Sequence, residues 1–198
     1  TAVVFIFGYL PGSPVVDWLL FNSSYIDPAW GLPFEPWRML TSVFTHAAFW
    51  HVGLNILAIW MLERSLEPML GHGRFLALYL LSGFGGSVGV ALIAPGVSVI
   101  GASGAVFGLL GALLVIGRHL GANIKGILII LGINLVIGFI PGFTVAWQAH
   151  VGGLATGALI GLILARTRRA DQHTLQTGLL VGTGVLLAVL TVAATFIH

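Results

Sequence analysis

Cysteine is absent and charge is scarce in this 198-residue sequence, where only 7% of residues are Asp, Glu, Lys or Arg. A soluble domain carries roughly 25% charged residues, so this chain lacks the means to cover a globular surface with charge. Without cysteine there are no disulfides, no thiolate metal sites and no cysteine nucleophile. The six acids, Asp17, Asp27, Glu35, Glu63, Glu67 and Asp171, all fall in loops or at the ends of apolar stretches. No HExxH motif occurs and no carboxylate accompanies the histidines, which argues against a zinc hydrolase and leaves no metal or cofactor expected. There is no internal repeat, low-complexity tract or signal-peptide pattern. A net charge of +2 carried by so few groups does not point to nucleic acid.

What the sequence does have is apolar length. Hydrophobic residues make up 58% and there are 28 glycines. Runs of about twenty apolar residues match the thickness of a hydrocarbon core. Seven spans are expected: Ala2 to about Leu20, Phe44 to Leu62, Phe75 to Ile93, Ser103 to Ile116, Ile127 to Ile140, His150 to Ala165, and Leu175 to Ile197. The first is interrupted by Pro11-Gly12-Ser13-Pro14 and opens partway into an apolar run, which suggests residues upstream of Thr1. An aromatic connection from Asp17 to Met39 suits the membrane interface. The expected fold is all-α, a polytopic membrane helix bundle forming a single domain over 1–198.

Orientation follows from the basic residues. Arg64, Arg74, Arg118, Lys125, Arg166, Arg168 and Arg169 fall on one side of these spans and only Arg38 on the other. The positive-inside rule makes the first side cytoplasmic, with the N-terminus inside. Spans two, four and six then run inward, and His51, Ser103 and His150 lie at similar depth near the outer face.

A serine and a histidine inside hydrocarbon need a reason, because a buried imidazole is unfavourable unless paired or wetted. The fourth span is short, so Pro95 to Ala102 is expected to dip into the membrane, and such backbone is tolerated only in protein or beside a wet cavity. The start of that helix offers unpaired N–H groups beside Ser103. Gly153, Gly157 and Gly161 share the helical face of His150, while Gly104, Gly108 and Gly111 mark span four. Such stripes let membrane helices approach backbone to backbone. His51 and Asn55, four apart, share a face and supply donors suited to an oxyanion. His46 lies off that face and is expected to be structural.

Taken together, Gly101-Ala102-Ser103-Gly104 with Gly108, Ala149-His150-Val151-Gly152-Gly153 with Gly157, and His46, His51 and Asn55 resemble the rhomboid intramembrane serine proteases. Trp37-Arg38 resembles that family's WR pair, and Glu67-Pro68-Met69-Leu70-Gly71 its glutamate-x-x-x-glycine turn after span two. The resemblance covers about 34–165 and implies a rhomboid-like six-helix core, with a seventh helix at about 175–197. It implies Ser103 as nucleophile, His150 as general base and acid, and an oxyanion hole from His51, Asn55 and the backbone at Ser103. Phe107 stands where the family places an aromatic against the catalytic imidazole, often tyrosine; the stacking face is kept and the hydroxyl lost. Gly101, Gly104, Gly153, Gly157, Trp37 and Arg38 are then supporting residues.

No acid is placed to reach His150, so a Ser–His dyad is expected rather than a triad. The expected activity is endopeptidase cleavage of transmembrane substrates near the outer face, with membrane lipid as the other partner. Segments that unwind easily are favoured, because a helix hides its amides. The loop Pro141 to Gln148 is a candidate lid, with an ordinary interfacial turn as the alternative. A transporter is disfavoured because the polar residues gather in one half of the membrane. A catalytically inactive rhomboid-like protein that binds or escorts membrane partners stays open as the alternative function. A bacterial plasma membrane is the expected location.

Overall fold

The computed structural model describes residues 1–137 and 146–197. Among these, nine α-helices carry the fold: α1 (Ala2–Gly8), α2 (Val15–Leu19), α3 (Arg38–Thr41), α4 (Phe49–Leu70), α5 (His72–Ile93), α6 (Ser103–His119), α7 (Lys125–Ile137), α8 (Trp147–Arg166) and α9 (His173–Ala194). Three segments are long and apolar enough to cross a membrane, His72–Ile93, Trp147–Arg166 and Ala170–Ala194. A fourth candidate is bent by 96° between Arg38–Phe44 and Phe49–Leu70. α6 is apolar but only 17 residues long, and α7 only 13. The protein is an integral membrane helix bundle.

The centre of the bundle is held by backbone contact. A Cβ added at Gly153 would collide with the carbonyl of Gly104, and one at Gly157 with the carbonyl of Gly108. At Gly161 it would lie 2.7 Å from the Cα of Ala112. Because these contacts advance together along both chains, α6 and α8 run parallel. On the other side of α8, Gly152 and Thr156 meet Gly89 and Gly85 of α5, so that pair is antiparallel. Lipid tails are as apolar as leucine, so helices in a bilayer associate through such close packing rather than through apolar burial. α9 lies outside α5 and parallel to it, with Gln176 against Arg74 and Gly184 against Leu81. Its buried residues Gln176, Thr183, Leu187, Thr191 and Ala194 recur at helical spacing, one face inward and the rest toward lipid.

Two of the positive-φ glycines lead into α5 and α6. Gly71, at φ +79°, reverses the chain between α4 and α5, and Gly101, at φ +111°, precedes α6. L-residues rarely adopt such angles. The first loop is organised by Arg38, whose buried guanidinium donates to the carbonyls of Asp17 (2.5 Å) and Leu20 (3.2 Å), pairs with Glu35, and lies 4.0 Å over the Tyr25 ring.

Several expected boundaries are corrected. Ala2 to Leu20 does not form one span among the described residues: Pro11 and Pro14 divide it into α1 and α2, seven and five residues long. The second span starts later and runs further than expected, to Leu70, with Pro68 in its last turn. The Glu67 to Leu70 stretch is therefore the helix end, and only Gly71 is turn. Of the expected lid, residues 141–145 lie outside the described residues, as does the end of the expected fifth span, 138–140.

Candidate functional site

The segment before α6 is fixed by partners remote in sequence. Phe21 and Val99 form an antiparallel bridge, with N–H to carbonyl distances of 3.1 and 2.7 Å. Asn22 Nδ2 donates to the Gly96 carbonyl (2.7 Å) and Ser98 Oγ (3.1 Å), and Ser23 Oγ accepts the Gly96 N–H at 2.7 Å. Nearer the helix, the Gly101 N–H donates to the Ser42 carbonyl at 2.9 Å and the Ala102 N–H to His46 Nε2 at 3.3 Å. The last irregular residues thus have their donors satisfied, as buried backbone must. The N–H groups of α6, beginning with Ser103, are the ones left open at a helix start.

Gly101 also sets the distance to α4. A Cβ there would lie 2.7 Å from His51 Nε2, so that imidazole sits directly against the residue two before Ser103. His46 meets His51 edge to face, ring centres 4.8 Å apart. Because His46 Nε2 accepts a hydrogen bond, its neutral ring carries the proton on Nδ1. Asn55 is buried one turn below His51 and donates one amide hydrogen to the His51 carbonyl at 2.9 Å, leaving the second available.

His150 enters from α8. Its ring stacks on Phe107 at 4.0 Å between centres and 10° between planes. Phe107 follows Ser103 by one helical turn and shares its face. One residue from each of Ser103 and His150, Gly104 and Ala149 are in contact: a Cβ at Gly104 would lie 3.3 Å from the Ala149 carbonyl oxygen. Ser103 is partly exposed and His150 is buried, with Nδ1 lacking a partner among the described residues. In a Ser–His–Asp triad that nitrogen faces the carboxylate. No group of three or more His, Cys, Asp or Glu positioned for a metal occurs among the described residues.

The structure therefore brings Ser103, His150, Phe107, His51, Asn55, Gly101, Gly104 and Gly153 to one end of the bundle, with Gly157 one turn further in. Trp37 and Arg38 belong to the first loop instead: Trp37 is 52% exposed and Arg38 is bound to Asp17, Leu20 and Glu35. The roles of His46 as acceptor for Ala102 and of Ser42 as acceptor for Gly101 carry no periodic signal in the sequence. Only the histidine itself, five residues before His51, hinted at the first. Removing the stack in Phe107→Ala is expected to let the imidazole turn. Any reaction that depends on this imidazole should then slow about fivefold, the effect of losing an aromatic pair of about 1 kcal/mol, with stability assayed separately by thermal unfolding in detergent.

A family model described as "Rhomboid domain" matches residues 33–167, a span that includes every residue of this site. Rhomboid protease GluP of Bacillus subtilis is 37% identical over 161 residues, covering 76% of this chain and 31% of that protein. RHOMBOID-like protein 4 of Arabidopsis thaliana is 39% identical over 137 residues, covering 66% of this chain and 34% of the relative. Putative rhomboid protease YdcA of Bacillus subtilis is 33% identical over 177 residues, 84% of this chain and 85% of that protein. This chain thus spans about a third of the length of the first two and most of the third. With the matched domain covering more than half of its residues, and the site inside it, the chain belongs to the rhomboid family.

Proposed function

We propose that the protein is an intramembrane serine endopeptidase with a Ser103–His150 dyad. The observation that carries this reading is the stack of His150 on Phe107, one turn below Ser103, across two helices in backbone contact. Ser103 Oγ attacks a substrate carbonyl while His150 takes its proton. In this step Nε2 is the accepting nitrogen and Nδ1 carries the proton. The oxyanion that forms is met by the Ser103 N–H, the His51 ring and the free amide hydrogen of Asn55. His150 then protonates the leaving amine, and water hydrolyses the acyl-enzyme with His150 again as base. No hydrogen bond joins Ser103 to His150 among the described residues. Catalytic hydrogen bonds of unliganded enzymes are often long and tighten with substrate.

The basic residues support a cytoplasmic location for the far end of the bundle, so Ser103 faces the outer half of the membrane. Cleavage then falls in transmembrane segments near that face, where a local break in the helix exposes an amide. The test is a single-span reporter with a helix-breaking outer boundary, reconstituted with the protein in liposomes. Cleavage mapped to that boundary is expected; an intact reporter that nonetheless co-purifies with the chain would favour a partner-binding rhomboid without activity.

His51→Ala and Asn55→Ala bear on the oxyanion role separately. Each is expected to lower kcat by about 10²-fold with KM little changed, since donors to an oxyanion act only as charge develops. Equal rises in KM with kcat intact would assign them to substrate binding instead.

A further inference from the structure

The end of the bundle opposite Ser103, about 20 Å away along α6, contains a cavity of about 210 Å³. Arg74, Arg168, Thr167 and Gln176 line it, with Ile116 and Leu164 among its apolar wall. Arg74 is held in place: Nε donates to Gln176 Oε1 at 2.6 Å, Nη1 to the Leu70 carbonyl at 3.3 Å, and Nη2 lies 2.9 Å from His173 Nδ1. None of these partners is a carboxylate. Of five guanidinium N–H donors, two remain for a ligand. Gln176 is itself oriented, donating to the Thr167 carbonyl (2.8 Å) and Oγ1 (2.9 Å).

The nearby acids are engaged elsewhere. Glu67 pairs with His72 at 3.0 Å and Asp171 with Arg169 at 3.1 Å, while Arg74 and Arg168 have no ion-pair partner among the described residues. The N-termini of α5 and α9 open at this end and add partial positive charge. The carbonyl of Leu70, which ends α4, and that of Thr167, which follows α8, already accept hydrogen bonds. The result is a positively charged, partly polar hollow with an apolar wall at the end of a membrane bundle.

We propose that this cavity binds the phosphodiester headgroup of an anionic glycerophospholipid, with Arg74 and Arg168 on the phosphate and the exposed Met69 at its rim against the glycerol and upper acyl chain. A free phosphate would satisfy the arginines and leave Met69 in water, whereas a lipid covers both. Basic pockets between membrane helices are suited to such headgroups. A bound lipid would bridge Arg74 at the start of α5 to the α8–α9 junction, tying the outer helix α9 to the core.

The test is native mass spectrometry of the full chain, released from bilayer discs of phosphatidylcholine mixed with phosphatidylglycerol. The chain is expected to retain phosphatidylglycerol in preference to phosphatidylcholine. Arg168→Gln, at an exposed side chain without a hydrogen-bond partner among the described residues, is expected to lower that retention about fivefold. Arg74→Gln should lower it at least as much, but it also breaks the contacts to Gln176 and Leu70, so Arg168→Gln decides. Equal retention of the two lipids, or unchanged phosphatidylglycerol retention in Arg168→Gln, overturns the proposal. Displacement of the lipid by inorganic phosphate overturns the lipid assignment, and persistence of the lipid supports it. Ser103→Ala is expected to retain lipid as the unmodified chain does, so this result stands apart from the protease reading.

Discussion

Ser103→Ala is expected to reduce cleavage of a transmembrane reporter by about 10⁶-fold. The magnitude follows from the role: without the oxygen there is no acyl-enzyme route, and only the oxyanion donors and substrate binding remain to assist attack by water. His150→Ala is expected to lose nearly as much, and the double variant no more than either single one, because nucleophile and base act as a unit. Folding is expected to be unchanged in Ser103→Ala within about 0.5 kcal/mol, since the side chain is partly exposed and makes no hydrogen bond among the described residues. Cleavage in proteoliposomes, paired with thermal unfolding of the same preparations, measures both. Additive losses would mean that the two side chains work in separate steps.

The second large effect concerns structure rather than chemistry. At Gly157 an added methyl would run into the carbonyl, carbonyl carbon and Cα of Gly108, all backbone atoms that no rotamer change can move. Gly157→Ala must therefore push α8 away from α6, and with it the imidazole from the serine. A loss of about 3 kcal/mol is expected, at the upper end for overpacked sites. Gly182→Ala is the control. A Cβ there meets nothing within 4 Å, so the higher helix propensity of alanine should leave α9 unchanged or raise stability by up to about 1 kcal/mol. Thermal unfolding in detergent compares the two, and equal tolerance would show that α6 and α8 do not approach so closely.

How much of this was legible in the sequence depended on the kind of signal. α5, α8 and α9 announce themselves as apolar runs of membrane length, and α6 starts where the Gly101–Gly104 motif places it. The α6–α8 contact was visible because glycines at helical spacing leave a one-dimensional trace of a three-dimensional approach. α4 was misjudged at its end because Glu63, Arg64 and Glu67 mark where the apolar stretch stops, while the helix continues to Leu70. Arg64 does so with its guanidinium 4.7 Å from the Trp60 ring centre. The first expected span failed for a local reason, since two prolines and a glycine outweigh apolar composition over so few residues. Apart from the presence of His46, the anchoring of the segment before Ser103 left no trace. Phe21 bridges to Val99, and Ala102 donates to His46 across 56 positions, and no periodicity records such pairings.

The sequence offered no obvious acid to hold His150, and among the described residues its Nδ1 has no partner. With Nδ1 unpartnered, the orientation of the imidazole rests on Phe107 and on the backbone of α8 rather than on a carboxylate. That makes the close packing of three glycine-rich helices part of the site.

The central claim is that Ser103 is a nucleophile activated by its neighbour on α8. Its most direct measurement is reaction of the membrane-embedded chain with a fluorophosphonate probe, followed by mapping of the modified peptide. A single adduct on Ser103 is expected, lost in Ser103→Ala and strongly slowed in His150→Ala. No adduct on the intact chain, or labelling that is indifferent to His150, would contradict it.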